Sequence, residues 1–145
     1  MNILSCLIPK SGVDYITDDV TLFKTLQVMQ SHNYSAIPII NRNGRYIGTI
    51  TSGDILGCIK ENFSLSLRAS AKFPVRNVRR TRDYVAVGVN TPFDTLLDVA
   101  MDQNFVPVVD DDDNFIGILT RKEILRWMHE EYHKEHPKGG KKDVG

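Results

Sequence analysis

The 145-residue sequence predicts an α/β (α+β) fold in which two tandem strand-helix-strand-strand-helix units pack sheet to sheet about a pseudo-twofold axis. Three observations carry that expectation. First, the chain repeats itself. Pro38-Ile39-Ile40-Asn41 returns as Pro107-Val108-Val109-Asp110, Tyr46-Ile47-Gly48-Thr49-Ile50-Thr51 as Phe115-Ile116-Gly117-Ile118-Leu119-Thr120, and Asp54-Ile55-Leu56 as Glu123-Ile124-Leu125, every pair 69 positions apart. Of the nineteen positions from Pro38 to Leu56, six are identical to their counterparts, and others such as Ile39/Val108, Tyr46/Phe115 and Asp54/Glu123 are closely similar. Upstream, Phe23, Thr25 and Leu26 match Phe93, Thr95 and Leu96 at a spacing of 70, so the second copy has lost one residue between helix and strand. Second, most strand segments are continuous apolar runs, as in sheets covered by helices. Third, a unit of about 60–70 residues buries too little surface to stand alone, so the two are expected to share one core.

Each copy opens on a short strand, Asp14 to Thr17 and Tyr84 to Val87. A helix follows, about Leu22 to His32 and Phe93 to Gln103; Leu22, Leu26 and Met29 fall at helical spacing. In the second copy Thr91 is expected to cap, with Pro92 in the first helical position, where its missing donor costs nothing. Two strands come next, Ala36 to Ile40 and Tyr46 to Ile50, joined by a loop holding the turn pair Asn43-Gly44. In the second copy Asp110 to Asn114 form this turn; four consecutive carboxylates belong in solvent, and a calcium site needs a longer ligand pattern. A last helix closes each copy, Ser52 to about Lys60 and Arg121 to about His133. The expected division is residues 1–62 for the first repeat, 63–82 for a connection crossing the surface, 83–135 for the second repeat and 136–145 for a disordered tail.

Composition narrows the function. Hydrophobic residues at 41% and charged residues at 25% describe a globular domain, not a disordered chain. Eighteen basic side chains balance eighteen acidic ones, without the basic excess a non-specific nucleic-acid binder carries. No apolar run approaches the ~20 residues of a membrane span. Ile3-Leu4-Ser5-Cys6 bears a faint likeness to a lipoprotein cleavage site, but no basic segment precedes it and the apolar stretch is short. Cys6 and Cys58 match no metal or redox spacing, so two reduced thiols in a cytoplasmic protein are expected.

Thr51 and Thr120 each end a strand and begin a helix, with Asp54 and Glu123 three residues on. The plain reading is a capping box, in which hydroxyl and carboxylate satisfy each other's backbone amides. The same junction presents free amides at the positive end of a helix dipole, where phosphate binds readily. A carboxylate there repels phosphate but suits ribose hydroxyls, so Thr plus Asp at one helix mouth also fits a nucleotide. Both readings stand on the residues alone.

At these residues the chain resembles the CBS domain family. Ser35-Ala36-Ile37-Pro38-Ile39-Ile40 with Gly48-Thr49-Ile50-Thr51-Ser52-Gly53-Asp54-Ile55-Leu56 looks like one CBS domain, and Phe105-Val106-Pro107-Val108-Val109 with Gly117-Ile118-Leu119-Thr120-Arg121-Lys122-Glu123-Ile124-Leu125 like a second. Two in tandem resemble a Bateman module, and the chain is similar to small stand-alone bacterial CBS pairs, some of which bind cyclic di-AMP. The resemblance implies a cytoplasmic regulatory module that binds AMP, ADP, ATP or cyclic di-AMP, forms a homodimer and signals to a regulated protein, with no catalytic residue, no cofactor and no metal. It implies base contacts from Tyr34, Ser35 and Ala36, an opposite wall from Val13 and Tyr15, phosphate on Thr51 and ribose on Asp54. Thr120 and Glu123 would repeat those roles in a second cleft, with Phe105 and Val106 beside them. Arg121 would approach phosphate oxygens and Arg82 would add charge from the connection. Glu123 departs from the family's Asp and reaches one methylene further.

Two alternatives remain. His129-Glu130-Glu131-Tyr132-His133 spells H-E-x-x-H on a predicted helix, the pattern of a zinc hydrolase with Glu130 as base, or of surface metal binding. The other alternative is a ligand-free dimerisation scaffold.

Overall fold

The computed structural model describes residues 2–62 and 66–137. Its elements, in chain order, are α1 (Ile3–Cys6), β1 (Ile8–Pro9), β2 (Ile16–Thr17), α2 (Leu22–His32), β3 (Ala36–Ile40), β4 (Tyr46–Thr51), α3 (Ser52–Glu61), α4 (Leu67–Ser70), β5 (Val87–Gly88), α5 (Phe93–Asp102), β6 (Phe105–Val109), β7 (Phe115–Thr120) and α6 (Arg121–Glu135). They form the expected mixed α/β fold with two sheets. One sheet has the order β2-β3-β4 and the other β1-β7-β6-β5. Among the described residues no helix is long and apolar enough to cross a membrane. The tail expected to be disordered lies, from residue 138 on, outside the described residues.

Local chemistry sets the boundaries. The Thr21 hydroxyl accepts from the Lys24 amide to start α2, and Asn33 ends it in the left-handed conformation at φ 57°. At α5 the expectation shifts by one residue. Pro92, not Thr91, takes the cap position in an extended conformation, and its carbonyl accepts from Leu96 N at 3.0 Å. Both hairpins close on the same device. Asn41 Oδ1 accepts from the amides of Asn43 and Arg45, and Asp110 Oδ1 from those of Asp112 and Asn114. The bonds from Asn114 hold the Asp110 carboxyl below the usual carboxylate range.

The sequence register survives in space as a pseudo-twofold axis. Tyr46 N donates to Asp113 O at 3.0 Å while Phe115 N donates to Gly44 O at 2.9 Å, the same bond with every residue moved by 69. The rings of Tyr46 and Phe115, also 69 apart, lie 6.2 Å from each other. Asn104 Nδ2 donates to the hydroxyl of its own counterpart, Ser35, at 3.1 Å. Both β3–β4 and β6–β7 shift register at the equivalent step, Ile39/Ile40 and Val108/Val109.

The expected single shared core is two clusters, one behind each sheet. Ile37, Ile39, Ile50, Leu22 and Ile55 build the first, and Val106, Val108, Leu119, Leu96 and Ile124 the second. Each is completed by a segment from outside its own strand-helix unit. Val75 and Val78, from the connection, are buried in the first cluster, so that segment does more than cross the surface. Ile3 is buried in the second, and β1 pairs antiparallel with β7 through Ile8↔Ile118 and Pro9↔Gly117. Two units of marginal size thus each borrow apolar surface worth about 1.5–3 kcal/mol per buried side chain.

The borrowing differs at the two sheet edges. β1 lies across Gly117, where a Cβ would collide with the Ile8 carbonyl oxygen. At the counterpart, Gly48, no strand is added among the described residues. The side chains of Asp83 and Arg80 cover it, and Asp83 Oδ1 accepts from Thr49 N at 2.8 Å. A carboxylate has taken the edge amide that a strand would otherwise take.

Candidate functional site

The two helix mouths diverge from this point. At the first, Thr51 and Asp54 form a complete capping box. Asp54 N donates to Thr51 Oγ1 at 3.2 Å, and Thr51 N donates back to Asp54 Oδ2 at 3.0 Å. The other carboxylate oxygen accepts from both the amide and the hydroxyl of Thr81, at 3.2 and 3.3 Å. Asp54 is 4% exposed. With Thr81 seated on the carboxylate and the Arg80–Asp83 ion pair (2.8 Å) over the adjoining strand, the connection fills this mouth.

The second mouth is open. The Thr120 hydroxyl accepts from Glu123 N at 3.1 Å, but Glu123 Oε1 turns outward to accept from Arg126 Nη1 at 2.7 Å. In front of Thr120 lies a cleft of about 310 Å³ between the two repeats. Val13, Asp14, Tyr34 and Ala36 line it from the first repeat, and Asn104, Phe105 and Thr120 from the second. Its floor includes Pro38 and Ile118. The volume suits a small organic ligand, and the start of the fifteen-residue α6 supplies positive potential at one end.

Five of the expected residues therefore meet in one cleft: Val13, Tyr34, Ala36, Phe105 and Thr120. Ser35 stands beside it, its carbonyl accepting from Ser52 N at 2.9 Å and its hydroxyl from Asn104. The others lie elsewhere. Tyr15 packs edge-on against Phe115, with Lys10 Nζ 5.3 Å from its ring centre. The Val106 side chain is buried in the second core; along β6 it alternates with Phe105, which faces the cleft. Arg121 donates through Nε to Ala100 O at 2.9 Å and through Nη2 to Met101 O at 3.1 Å, satisfying carbonyls at the end of α5. Arg82 lines a separate groove of about 490 Å³ that also holds Asp98 and Asp102.

Two polar residues of the open cleft stand outside the expected set. Asp14 Oδ2 accepts from Tyr34 Oη at 2.6 Å, and His32 stacks on the Tyr34 ring at 5.2 Å between centroids. The hydrogen bond to Asp14, with some burial, pushes the Tyr34 phenol above its ordinary value. Asn104 is the counterpart of Ser35, and the 69-residue register points to it. Asp14 carries no comparable signal beyond adjacency to Val13.

The H-E-x-x-H residues lie on α6 and line none of the clefts described above. A hydrolytic zinc needs three protein ligands. Among the described residues no three His, Cys, Asp or Glu side chains are grouped to hold a metal.

Comparison with known proteins agrees with this architecture. The chain is 26% identical over 110 residues to L-aspartate semialdehyde sulfurtransferase of Methanocaldococcus jannaschii, matching 74% of this chain and 20% of that protein. It is 28% identical over 135 residues to the 5'-AMP-activated protein kinase subunit gamma of Saccharomyces cerevisiae, matching 83% of this chain and 41% of that one. The chain thus spans well under half the length of these relatives. Among solved structures, CbpB in complex with c-di-AMP superposes with a TM-score of 0.84 at 23% identity, over 95% of this chain and 91% of that one. The family model described as CBS domain matches twice, over residues 7–61 and 75–130, and the chain belongs to the CBS domain family as a tandem pair.

Proposed function

We propose that the chain is a non-catalytic regulatory module of the cytoplasm that binds an adenine nucleotide in the cleft before Thr120. One observation carries this reading: apolar and aromatic groups from both repeats, Val13, Tyr34, Ala36 and Phe105, converge on a helix start that is left open. The purine lies among these groups. The phosphate sits against the Thr120 hydroxyl and the free amides of α6, the arrangement that favours anions. Asp14, an acceptor with no other described carboxylate in the cleft, takes ribose hydroxyls or the exocyclic amine. The solved CbpB complex, which has the same fold, makes cyclic di-AMP the first ligand to test.

Because the cleft is walled by both repeats, a ligand bound there changes the free energy of their relative packing. A regulated protein reads that change only through its own differential affinity for the two states. The exposed apolar side chains on the helical faces, Leu56 on one repeat, Leu67 on the connection and Met101 and Leu125 on the other repeat, are where a second copy packs to form a homodimer.

Isothermal titration with AMP, ADP, ATP and cyclic di-AMP tests the reading. Saturable heat from at least one of the four is expected, weakened in Tyr34→Ala. No heat from any of them, with folded protein, overturns it and leaves the ligand-free scaffold.

A further inference from the structure

The histidines that serve no hydrolytic site have a geometry of their own. His129, exposed, and His133, half-buried, stand one turn apart on α6, with ring centroids 4.3 Å apart and planes at 70°. Their Nε2 atoms approach to 3.0 Å. Two imidazole nitrogens each about 2.05 Å from a metal stand about 2.9 Å apart when they bind at a right angle, and about 3.3 Å apart at the tetrahedral angle. The observed separation matches the right angle of adjacent positions in a tetragonal or octahedral site. We propose that His129 and His133 form a two-imidazole clamp for a divalent transition metal of that geometry, copper(II) first and nickel(II) second, ahead of zinc.

Without metal, the close Nε2 pair shares one hydrogen bond, one ring donating and the other accepting. When the metal enters, the donating ring moves that proton from Nε2 to its own Nδ1, and each ring offers an Nε2 lone pair. Two neutral ligands bind with no net proton release. His136 is held apart from the clamp. Its Nδ1 lies 3.1 Å from Tyr132 O, and its ring stacks on Tyr132 at 4.2 Å. No grouping of three metal-ligating side chains occurs among the described residues, so the remaining coordination positions belong to water. The metal is therefore exchangeable and bound by side chains remote from the nucleotide cleft, and the proposal stands whether or not a nucleotide binds.

The test is titration of the full chain with aqueous copper(II), read by calorimetry and by electron paramagnetic resonance. One copper per chain is expected, with hyperfine coupling from two imidazole nitrogens. Even outer-shell changes at metal sites cost about tenfold, so His129→Gln and His133→Gln should each weaken binding by about tenfold or more. His136→Gln should leave it within about twofold, since that ring is not a ligand. Copper held equally by the His129 and His133 variants is an adventitious ion only and overturns the proposal, as does the lack of stoichiometric binding to the intact chain. Should a variant fail to fold, paramagnetic broadening in the unaltered chain decides. Loss of the His129 and His133 ring signals ahead of His136 supports the clamp, and loss of His136 first or of all three together overturns it.

Discussion

Thr51 and Thr120 occupy the same place in two copies of one unit, yet one mouth is shut and the other open. The acid three residues on makes the first difference. Asp54 returns to its own cap amide and offers its second oxygen to Thr81. Glu123, one methylene longer, swings out to Arg126. What precedes each repeat makes the second. Arg80 and Thr81 of the connection, with Asp83 just after it, fold their polar side chains over the first sheet edge, whereas the N-terminal segment pairs as a strand with the second edge and lines the cleft at its mouth. A duplicated motif thus diverges through its neighbours more than through its own residues.

Substitutions at the two edge glycines should separate the two repeats most sharply. A Cβ at Gly117 meets backbone, the Ile8 carbonyl, while one at Gly48 meets only the side chains of Asp83 and Arg80. Gly117→Ala should therefore cost about 3 kcal/mol in urea unfolding, near the upper end for overpacking, and Gly48→Ala about 1 kcal/mol. Equal losses would show that β1 yields as easily as a side chain.

Asp54→Ala comes next. It strips the acceptor from three donors, the Thr51 amide and the amide and hydroxyl of Thr81, in a buried site. A loss of about 2–3 kcal/mol is expected by denaturant titration, with nucleotide affinity unchanged. The converse substitution, Glu123→Asp, places at the second mouth the acid that closes the first. It should form the missing half of the capping box and raise stability by about 0.5 kcal/mol. Unaltered or lower stability would mean that side-chain length does not separate the two mouths.

The smallest effect lies in the titration of Tyr34. Its hydrogen bond to Asp14 favours the protonated phenol, so the folded state holds that proton above the ordinary value of 10.0. A raised folded value contributes stability that is fully present below the unfolded value and is lost as pH rises through the folded one. The contribution should therefore fade only above about pH 10. Ultraviolet absorbance of the ionising phenol in Asp14→Asn should show Tyr34 titrating earlier than in the unaltered chain. No change would remove Asp14 as the cause.

Much of this was legible in the residues. The 69-position register located the paired strands and last helices of both copies, and the bonds of Tyr46 and Phe115 keep that register in space. Caps were legible because they are local: Thr51 and Thr120 both accept from the amide three residues on. Strand alternation separates Phe105 from Val106, since neighbours on a strand face opposite ways. Long-range contacts carried no such signal. The seating of Thr81 on Asp54 joins residues 27 positions apart, and Arg121 reaches carbonyls 20 and 21 positions away. A polar or cationic side chain near a cleft in sequence terms binds whichever unsatisfied backbone group the fold brings closest, and only tertiary packing names that group.

On the proposed function, a nucleotide should enter the mouth at Thr120 and not the one at Thr51. Nucleotide titration of Thr51→Val and Thr120→Val, both checked for folding, separates the two mouths. Each should lose about 1 kcal/mol of cap stability. Only Thr120→Val should lose nucleotide affinity; a loss confined to Thr51→Val would put the ligand at the other mouth.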